Sequence, residues 1–447
     1  MANMDTSQAQ VHIKEATLIL PSDPTPTHLL NLSAVDSQLF LRFTIEYLLI
    51  YRFNGALGRD RIAARVKAAL ARALVPYYPL AGRVRARADG SALEVVCRAQ
   101  GAVYVEAAAD LTLADFEKAP RHVTEWRRLL ALQVADVLKG APPLVVQLTW
   151  LADGAAALGL GFSHCVCDGV GSVEFLNLFA SLAAGSRRHG AVAAELKPKP
   201  VWQRHLLDPT PFCKQLTPSQ HPEFNRVTDY CEFMTRFNPD QLTPTSVTFD
   251  EWRLNELKNS ITRPSQLSKS SPTSFEVLSA KIWRSWAKAL SFPPQQILKL
   301  VFSIDIRHRV KPSLPTGYYG NAIVLGCAQA TAKDLAEKNL SFATELIREA
   351  KDRVDDTFVK EVVNSVSLNG SRSVPDPVGV LILSQWSRLG LERVDFGLGR
   401  PVQVGPVCTD RYCILLPVDD HSRSVKVMLA VPSVAVDKYV DLMTAVQ

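Results

Sequence analysis

One histidine in this chain has a carboxylate four residues downstream, at a point where the sequence changes its periodicity. The stretch reads Gly161-Phe162-Ser163-His164-Cys165-Val166-Cys167-Asp168-Gly169, and of nine His only His164 has Asp at that spacing. An imidazole titrates near neutrality, so a well-placed His164 can accept a proton from a hydroxyl or an amine at physiological pH. His-x-x-x-Asp is also a short pattern that chance supplies. A plainer account fits it too: a buried histidine hydrogen-bonded in a turn, with Asp168 as the N-cap of the next helix. Spacing alone leaves both open.

The elements around the pair are clear. Ala155 to Phe162 is an almost unbroken apolar run of the length of a buried strand. Val173, Phe175, Leu176, Leu178, Phe179 and Leu182 then recur at helical spacing, which predicts a helix starting between Gly169 and Ser172. His164 therefore stands where a strand hands over to a helix. Pro143 to Leu151 reads as a strand and Ala152-Asp153-Gly154 as a turn, so the strand leading to His164 should pair back on it as a hairpin.

Elsewhere in the first half, residues 11 to 20 read as a strand ending in a Pro-rich loop, and Asn31 to Asp36 leads into a core strand from Phe40 to Arg52. Asp60 is expected to cap an Ala-rich helix whose stripe is Ile62, Val66, Ala69, Leu70, Ala73 and Leu74. Tyr77-Tyr78-Pro79-Leu80-Ala81-Gly82-Arg83 is a dense turn, its aromatics suited to core packing. Residues 101 to 140 alternate short strand and helix signals. From about Gly185 to Arg226 periodicity gives way to a Pro-rich polar stretch with the composition of a crossover between domains.

In the second half, strands are expected at Val227 to Arg236 and Ser246 to Phe249, with helices from Asp250 to Lys258 and from Thr273 to Leu290. A buried strand from Lys299 ends in charge at Asp305-Ile306-Arg307. Tyr318-Tyr319-Gly320-Asn321 is a tight turn before an apolar strand, Ala322 to Cys327. Helices follow to about Val366, then a loop at Ser367 to Pro377. Further strands bracket Ser384-Gln385-Trp386 and Asp395-Phe396-Gly397-Leu398-Gly399. A strand at Val425 to Val431 and a helix at Ser433 to Val446 close the chain.

Composition bounds the rest. At 447 residues the chain exceeds one typical core and suggests two domains of roughly 200 residues each. With 47% hydrophobic and 21% charged residues the composition is that of an ordinary globular protein. A net charge of +6, with Lys and Arg scattered, gives little support to nucleic-acid binding and suits an anionic small molecule equally well. The eight Cys form no paired C-x-x-C spacing, so neither a zinc site nor a disulfide scaffold is indicated, and a reduced intracellular chain is the simplest reading. No secretory signal and no run of about 18 apolar residues is present.

Taken in order, four blocks resemble the BAHD family of plant acyl-CoA-dependent acyltransferases, and the resemblance covers nearly the whole chain. They are Tyr77 to Arg83, His164 to Gly169, Tyr318 to Asn321, and Asp395 to Gly399, where Leu398 stands in place of the family's usual Trp. The resemblance implies an α/β fold of two similar-topology domains, each a mixed β-sheet with helices, like chloramphenicol acetyltransferase. A solvent channel would run along their interface, with the histidine at its middle. The expected division is residues 1–190 as the N-terminal acyltransferase domain, 191–226 as the crossover, and 227–447 as the C-terminal domain.

The implied chemistry is transfer of an acyl group from acyl-CoA to the hydroxyl of a small specialised-metabolite acceptor, with His164 as general base. An amide on an amine acceptor and a non-catalytic partner role are the alternatives. A peptide-synthetase condensation domain, with its related His-x-x-x-Asp, would sit in a much longer polypeptide. By the resemblance, Ser384 and Trp386 lie near the developing oxyanion. Asp168 turns away to pair with Arg307, and Gly169, Asp395, Gly397 and Gly399 are structural. Cys165 and Cys167 sit beside apolar residues and are not expected to act as nucleophiles. No metal and no cofactor beyond acyl-CoA as co-substrate is called for, and a cytoplasmic monomer without nucleic-acid partner or membrane span is expected.

Overall fold

The computed structural model describes residues 11–53, 58–88, 90, 92–117, 138, 140–185, 198–209, 221–238, 241–261, 271–369, 376–406, 412–419 and 421–445. Parts of the crossover (191–197 and 210–220), most of the 101–140 stretch beyond 117, and 370–375 of the expected loop lie outside them, as do Cys213 and Cys408.

Two six-stranded mixed sheets dominate the chain. The first has the order β1 (Val11–Ile19), β6 (Ala102–Ala109), β7 (Leu144–Leu151), β8 (Ala156–Ser163), β3 (Thr44–Tyr51) and β13 (Gln403–Pro406). The second has the order β11 (Ile323–Thr331), β10 (Ile297–Asp305), β12 (Val380–Gln385), β14 (Tyr412–Pro417), β15 (Val425–Pro432) and β9 (Leu242–Phe249). A small sheet of β2 (His28–Asn31), β5 (Leu93–Cys97) and β4 (Arg83–Ala86) flanks the first. Among the described strands of the two large sheets, β6–β7 in the first, and β10–β12 and β12–β14 in the second, are the parallel pairs.

The hairpin that carries the histidine forms as the alternation demands. Leu144 pairs with Phe162 and Trp150 with Ala156, and Gly154 turns the chain at φ +91°. All eight residues of β8 are buried, which an inner strand covered on both faces requires, and the apolar run at 155 to 162 is the sequence mark of that position. Beyond His164 the helix Gly169–Ala184 begins as the spacing predicts, and its buried side includes Val173, Phe175, Leu176 and Phe179. It packs against the helix Arg59–Ala73, whose stripe is buried as expected.

Three local expectations are corrected. Asp60 does not cap its helix: Gly58 precedes it and Asp60 lies in the first turn, where its charge still complements the helix dipole. Val227 to Arg236 is not a strand, because the Asp229 carboxylate accepts the backbone N–H of Cys231 and of Phe233, a local cap that starts the short helix Phe233–Arg236. Residues 367–369 belong to the helix Asp356–Asn369 and not to a loop.

The halves are laced together. Strand β13, from the second half of the sequence, joins the first sheet, with Gln403 opposite Ile50 and Pro406 opposite Tyr47. Trp386, Leu391, Val394 and Phe396 are buried in the first core as well, so this excursion of the second half packs as part of the first. Its anchor is polar: Tyr51 donates its hydroxyl to the Val394 carbonyl at 2.9 Å. No described helix is long and apolar enough to cross a membrane.

Candidate active site

His164 leaves the end of β8 with its backbone still in the ladder, its N–H donating to the Phe43 carbonyl at 2.9 Å. The ring keeps part of its surface accessible and meets Phe43 edge-on, 5.0 Å between centroids, while Phe43 stacks on Tyr412 from the second sheet. Nδ1 lies 2.9 Å from Oδ1 of Asn321. The orientation of that amide is forced. Asn321 Nδ2 donates to the His164 carbonyl at 2.6 Å and to Asp36 Oδ1 at 2.9 Å, and neither partner can be a donor in return. Oδ1 therefore faces the ring as an acceptor, Nδ1 carries the ring proton, and Nε2 of the neutral imidazole is left as the basic nitrogen. Burial lowers the ring's pKa from its ordinary value, against the opposing pull of its own backbone, Asp168, Asn321 and Asp36.

Asp168 does two jobs at once, and the two accounts of His-x-x-x-Asp prove compatible. Its Oδ1 accepts the Gly171 N–H at 3.0 Å as a helix N-cap. Its two oxygens also take a bidentate pair from Arg307, at 2.9 and 3.0 Å, and Oδ2 accepts the Ala322 N–H at 3.0 Å. Burial alone would raise this carboxyl; Arg307 and the two backbone amides outweigh it and hold the group below its usual range. Gly169 opens the helix where an added Cβ would come within 3.3 Å of Leu389. Tyr319 packs against Tyr77 at 4.9 Å and Trp202 at 4.9 Å, joining the two aromatic blocks and the crossover in one cluster.

Ser384 is the last residue but one of β12, and Trp386 follows two residues on with its backbone N–H bonded to the Leu415 carbonyl. The Trp386 indole, 8% exposed, stacks obliquely on Tyr47 at 4.8 Å and donates Nε1–H to Ser384 Oγ at 3.0 Å. Because that indole hydrogen is already engaged, the hydroxyl hydrogen of Ser384 is the donor this pair has left to offer. Cys165 donates to the Leu41 carbonyl, and burial pushes both its thiol and that of Cys167 up to about 12, far from a thiolate at neutral pH. Asp395 accepts the N–H groups of Gly397 and Gly399 at 2.7 and 2.9 Å, closing a turn in which both glycines have positive φ.

Two groups at this centre carry no pattern that sequence reasoning could weigh. Asp36, fully buried, accepts from Asn321 N and Nδ2 on one oxygen and from Ser33 N, Ser33 Oγ and Arg204 Nη1 on the other. Arg204, in the crossover, also donates to the Val166 carbonyl at 2.8 Å. The only local signal is Ser33-x-x-Asp36, a turn-forming spacing. Three small cavities, of about 90, 30 and 160 Å³, lie elsewhere among the described residues, and His164 lines none of the three.

Two mixed sheets hold a histidine between them, with its helix cap paired across the halves, which is the arrangement the resemblance implies. The comparisons agree. The Transferase family model matches residues 9–445. Omega-hydroxypalmitate O-feruloyl transferase of Arabidopsis thaliana is 33% identical over 96% of this chain and 92% of its own length. The 3'-N-debenzoyl-2'-deoxytaxol N-benzoyltransferase of Taxus canadensis is 30% identical over 94% of this chain and 92% of its own. Among solved structures, vinorine synthase superposes with a TM-score of 0.72 over 96% of each chain at 19% identity, a likeness of fold. The chain belongs to the BAHD family of acyl-CoA acyltransferases.

Proposed function

We propose that the protein transfers an acyl group from acyl-CoA to the hydroxyl of a small-molecule acceptor by direct attack, with His164 as general base. The carrying observation is the tautomer: Asn321 accepts from Nδ1, which leaves Nε2 unprotonated. In the reaction Nε2 takes the acceptor's proton as its oxygen bonds to the thioester carbonyl carbon. When the tetrahedral intermediate collapses, the C–S bond breaks and the proton passes to the departing CoA thiolate. A positioned base contributes about 10² to 10⁴ in rate. Holding both substrates together in the channel expected between the domains supplies much of the remainder and makes a protein nucleophile unnecessary. Ser384 is the donor for the oxyanion and Trp386 fixes it. The reading calls for no metal or redox cofactor.

An amide product is the second reading, supported by the N-benzoyltransferase among the relatives, since the same base serves an amine. Purified protein is tested for thiol release against a panel of acyl-CoAs with alcohols and amines, beside His164→Ala. CoA release dependent on an acceptor and lost in His164→Ala is the expected result. Equal release by both proteins for every pair overturns it.

A further inference from the structure

The His164 ring is held by an amide, and the amide is held by a buried carboxylate. Asp36 gives its whole Oδ1 to Asn321, accepting from the backbone N–H and from Nδ2, each at 2.9 Å. Its Oδ2 is fixed by Arg204 at 2.7 Å and by Ser33. The carboxylate thus comes from the N-terminal segment, its counter-ion from the crossover and the amide from the second half. We propose that Asp36 is a positioning residue for the reaction, acting through Asn321 to fix the tautomer of His164 and to set how readily its ring takes up a proton. This rests on His164 being the base.

The physical route has two parts. Asp36 can only accept, so the amide nitrogen of Asn321 must face it and the amide oxygen must face Nδ1; without that anchor only the His164 carbonyl still holds the amide nitrogen, and turning the amide over to present N–H to the ring costs less. A carboxylate accepting from one end of an amide also draws electron density toward the oxygen at the other end, and hydrogen bonds in such a chain strengthen one another in a low-dielectric interior. As Nε2 gains its proton, the Nδ1–H to Oδ1 bond becomes charge-assisted and strengthens. No proton travels along the chain, because an amide nitrogen has none to give at this pH; the imidazolium keeps it until the thiolate leaves. The other charge acting on the ring is Asp168, neutralised by Arg307, and the charge of Asp36 is itself faced by Arg204. The thiols of Cys165 and Cys167 are uncharged at neutral pH.

Asp36→Asn leaves the Arg204 guanidinium buried without its counter-charge, so Asp36→Asn with Arg204→Gln is made alongside it, a variant with no stranded ion. The readouts are the pH dependence of kcat/KM and the ¹³C and ¹⁵N titration of the His164 ring in histidine-labelled full-length protein, assigned against His164→Gln. In both variants kcat should fall about ten- to hundredfold, the range seen when the partner orienting a metal-bound histidine is removed. KM should change far less. The ring should titrate about half a pH unit lower or more, with the Nδ1–H tautomer no longer dominant. In an Asn321→Ala background the Asp36 substitution should change the ring's tautomer no further, leaving only the direct pull of the Asp36 charge on its titration. A folded variant whose ring titration, tautomer and acid limb match the parent overturns the role of Asp36, even if its stability has dropped. Full turnover by His164→Ala overturns instead the reading on which it rests, and the ring titration still decides whether Asp36 governs the ring.

Discussion

Asp168 and Arg307, 139 residues apart in sequence, meet through two parallel N–H to oxygen bonds of 2.9 and 3.0 Å, with Asp168 almost wholly buried. The pair joins the loop that presents His164 to the strand end that precedes Asn321. A carboxylate this fully engaged, with Arg307, Gly171 and Ala322 around it, has no capacity left for the imidazole. Its contribution is to hold shape.

Removing one partner therefore acts on stability before chemistry. Asp168→Ala or Arg307→Met should cost about 3 to 5 kcal/mol in denaturant unfolding, because each leaves a buried charge alone. The pair should also be acid-sensitive in a defined window. The folded carboxyl titrates below its ordinary value, so its stabilisation is fully present above the unfolded pKa of about 3.9 and is lost as pH falls through the lower folded pKa. Stability of wild type and Asp168→Asn measured between neutral and acid pH checks this: the difference between them should shrink only below about pH 4. A constant difference across that range would contradict it.

The pH dependence of turnover has a separate origin. Burial lowers the His164 pKa, so the neutral base persists to more acid pH than a free imidazole of about 6.5 allows. Since kcat/KM follows the unprotonated fraction, it should be flat at pH 7 and above and fall only below the ordinary histidine range. An acid limb with its midpoint above 7 would mean that another group is being read.

The hydrogen bond from Trp386 to Ser384 separates two roles that the resemblance merged. Ser384→Ala removes the donor and should lower kcat by about 10² to 10³, the usual loss for one oxyanion donor. Trp386→Phe keeps the ring against Tyr47 but releases the serine hydroxyl, so its effect should be smaller, and it should add little in the Ser384→Ala background. If Trp386→Phe costs as much as Ser384→Ala, and the two effects multiply, the indole acts on the substrate directly.

How much of this was legible follows from where each signal lives. The hairpin, the strand before His164 and the helix after it were written in local periodicity, and packing kept them where the pattern put them. Asp60 and Val227 to Arg236 depart from their local pattern because capping depends on which backbone amide a carboxylate reaches, a matter of one or two residues. Asp36 and Arg204 were invisible for another reason: a buried ion pair between residues 168 apart leaves no spacing to find. Asn321 stood inside a recognised block, yet its contact with His164 depends on the two halves being brought together. The crossing of β13 into the first sheet is likewise a tertiary event that four residues of sequence cannot announce.

The turn at Asp395 offers a test in which two chemically identical changes should differ. Gly397 and Gly399 both sit at positive φ, +82° and +87°, so alanine at either incurs the left-handed penalty of about 1 to 2 kcal/mol. Around Gly399 there is open space for a Cβ, whereas at Gly397 the added atom would come within 3.2 Å of the Ala184 backbone and of the Arg65 guanidinium. Arg65 is itself engaged with the Ala183 carbonyl at the end of the helix that follows His164, so it cannot simply swing aside. Gly397→Ala should therefore destabilise the protein more than Gly399→Ala and should loosen the docking of that helix end, read as faster amide exchange around residues 180 to 184. Equal losses of stability at the two positions, or unchanged exchange in the Gly397 variant, would show that the turn does not bear on the helix and that its glycines serve only their own backbone geometry.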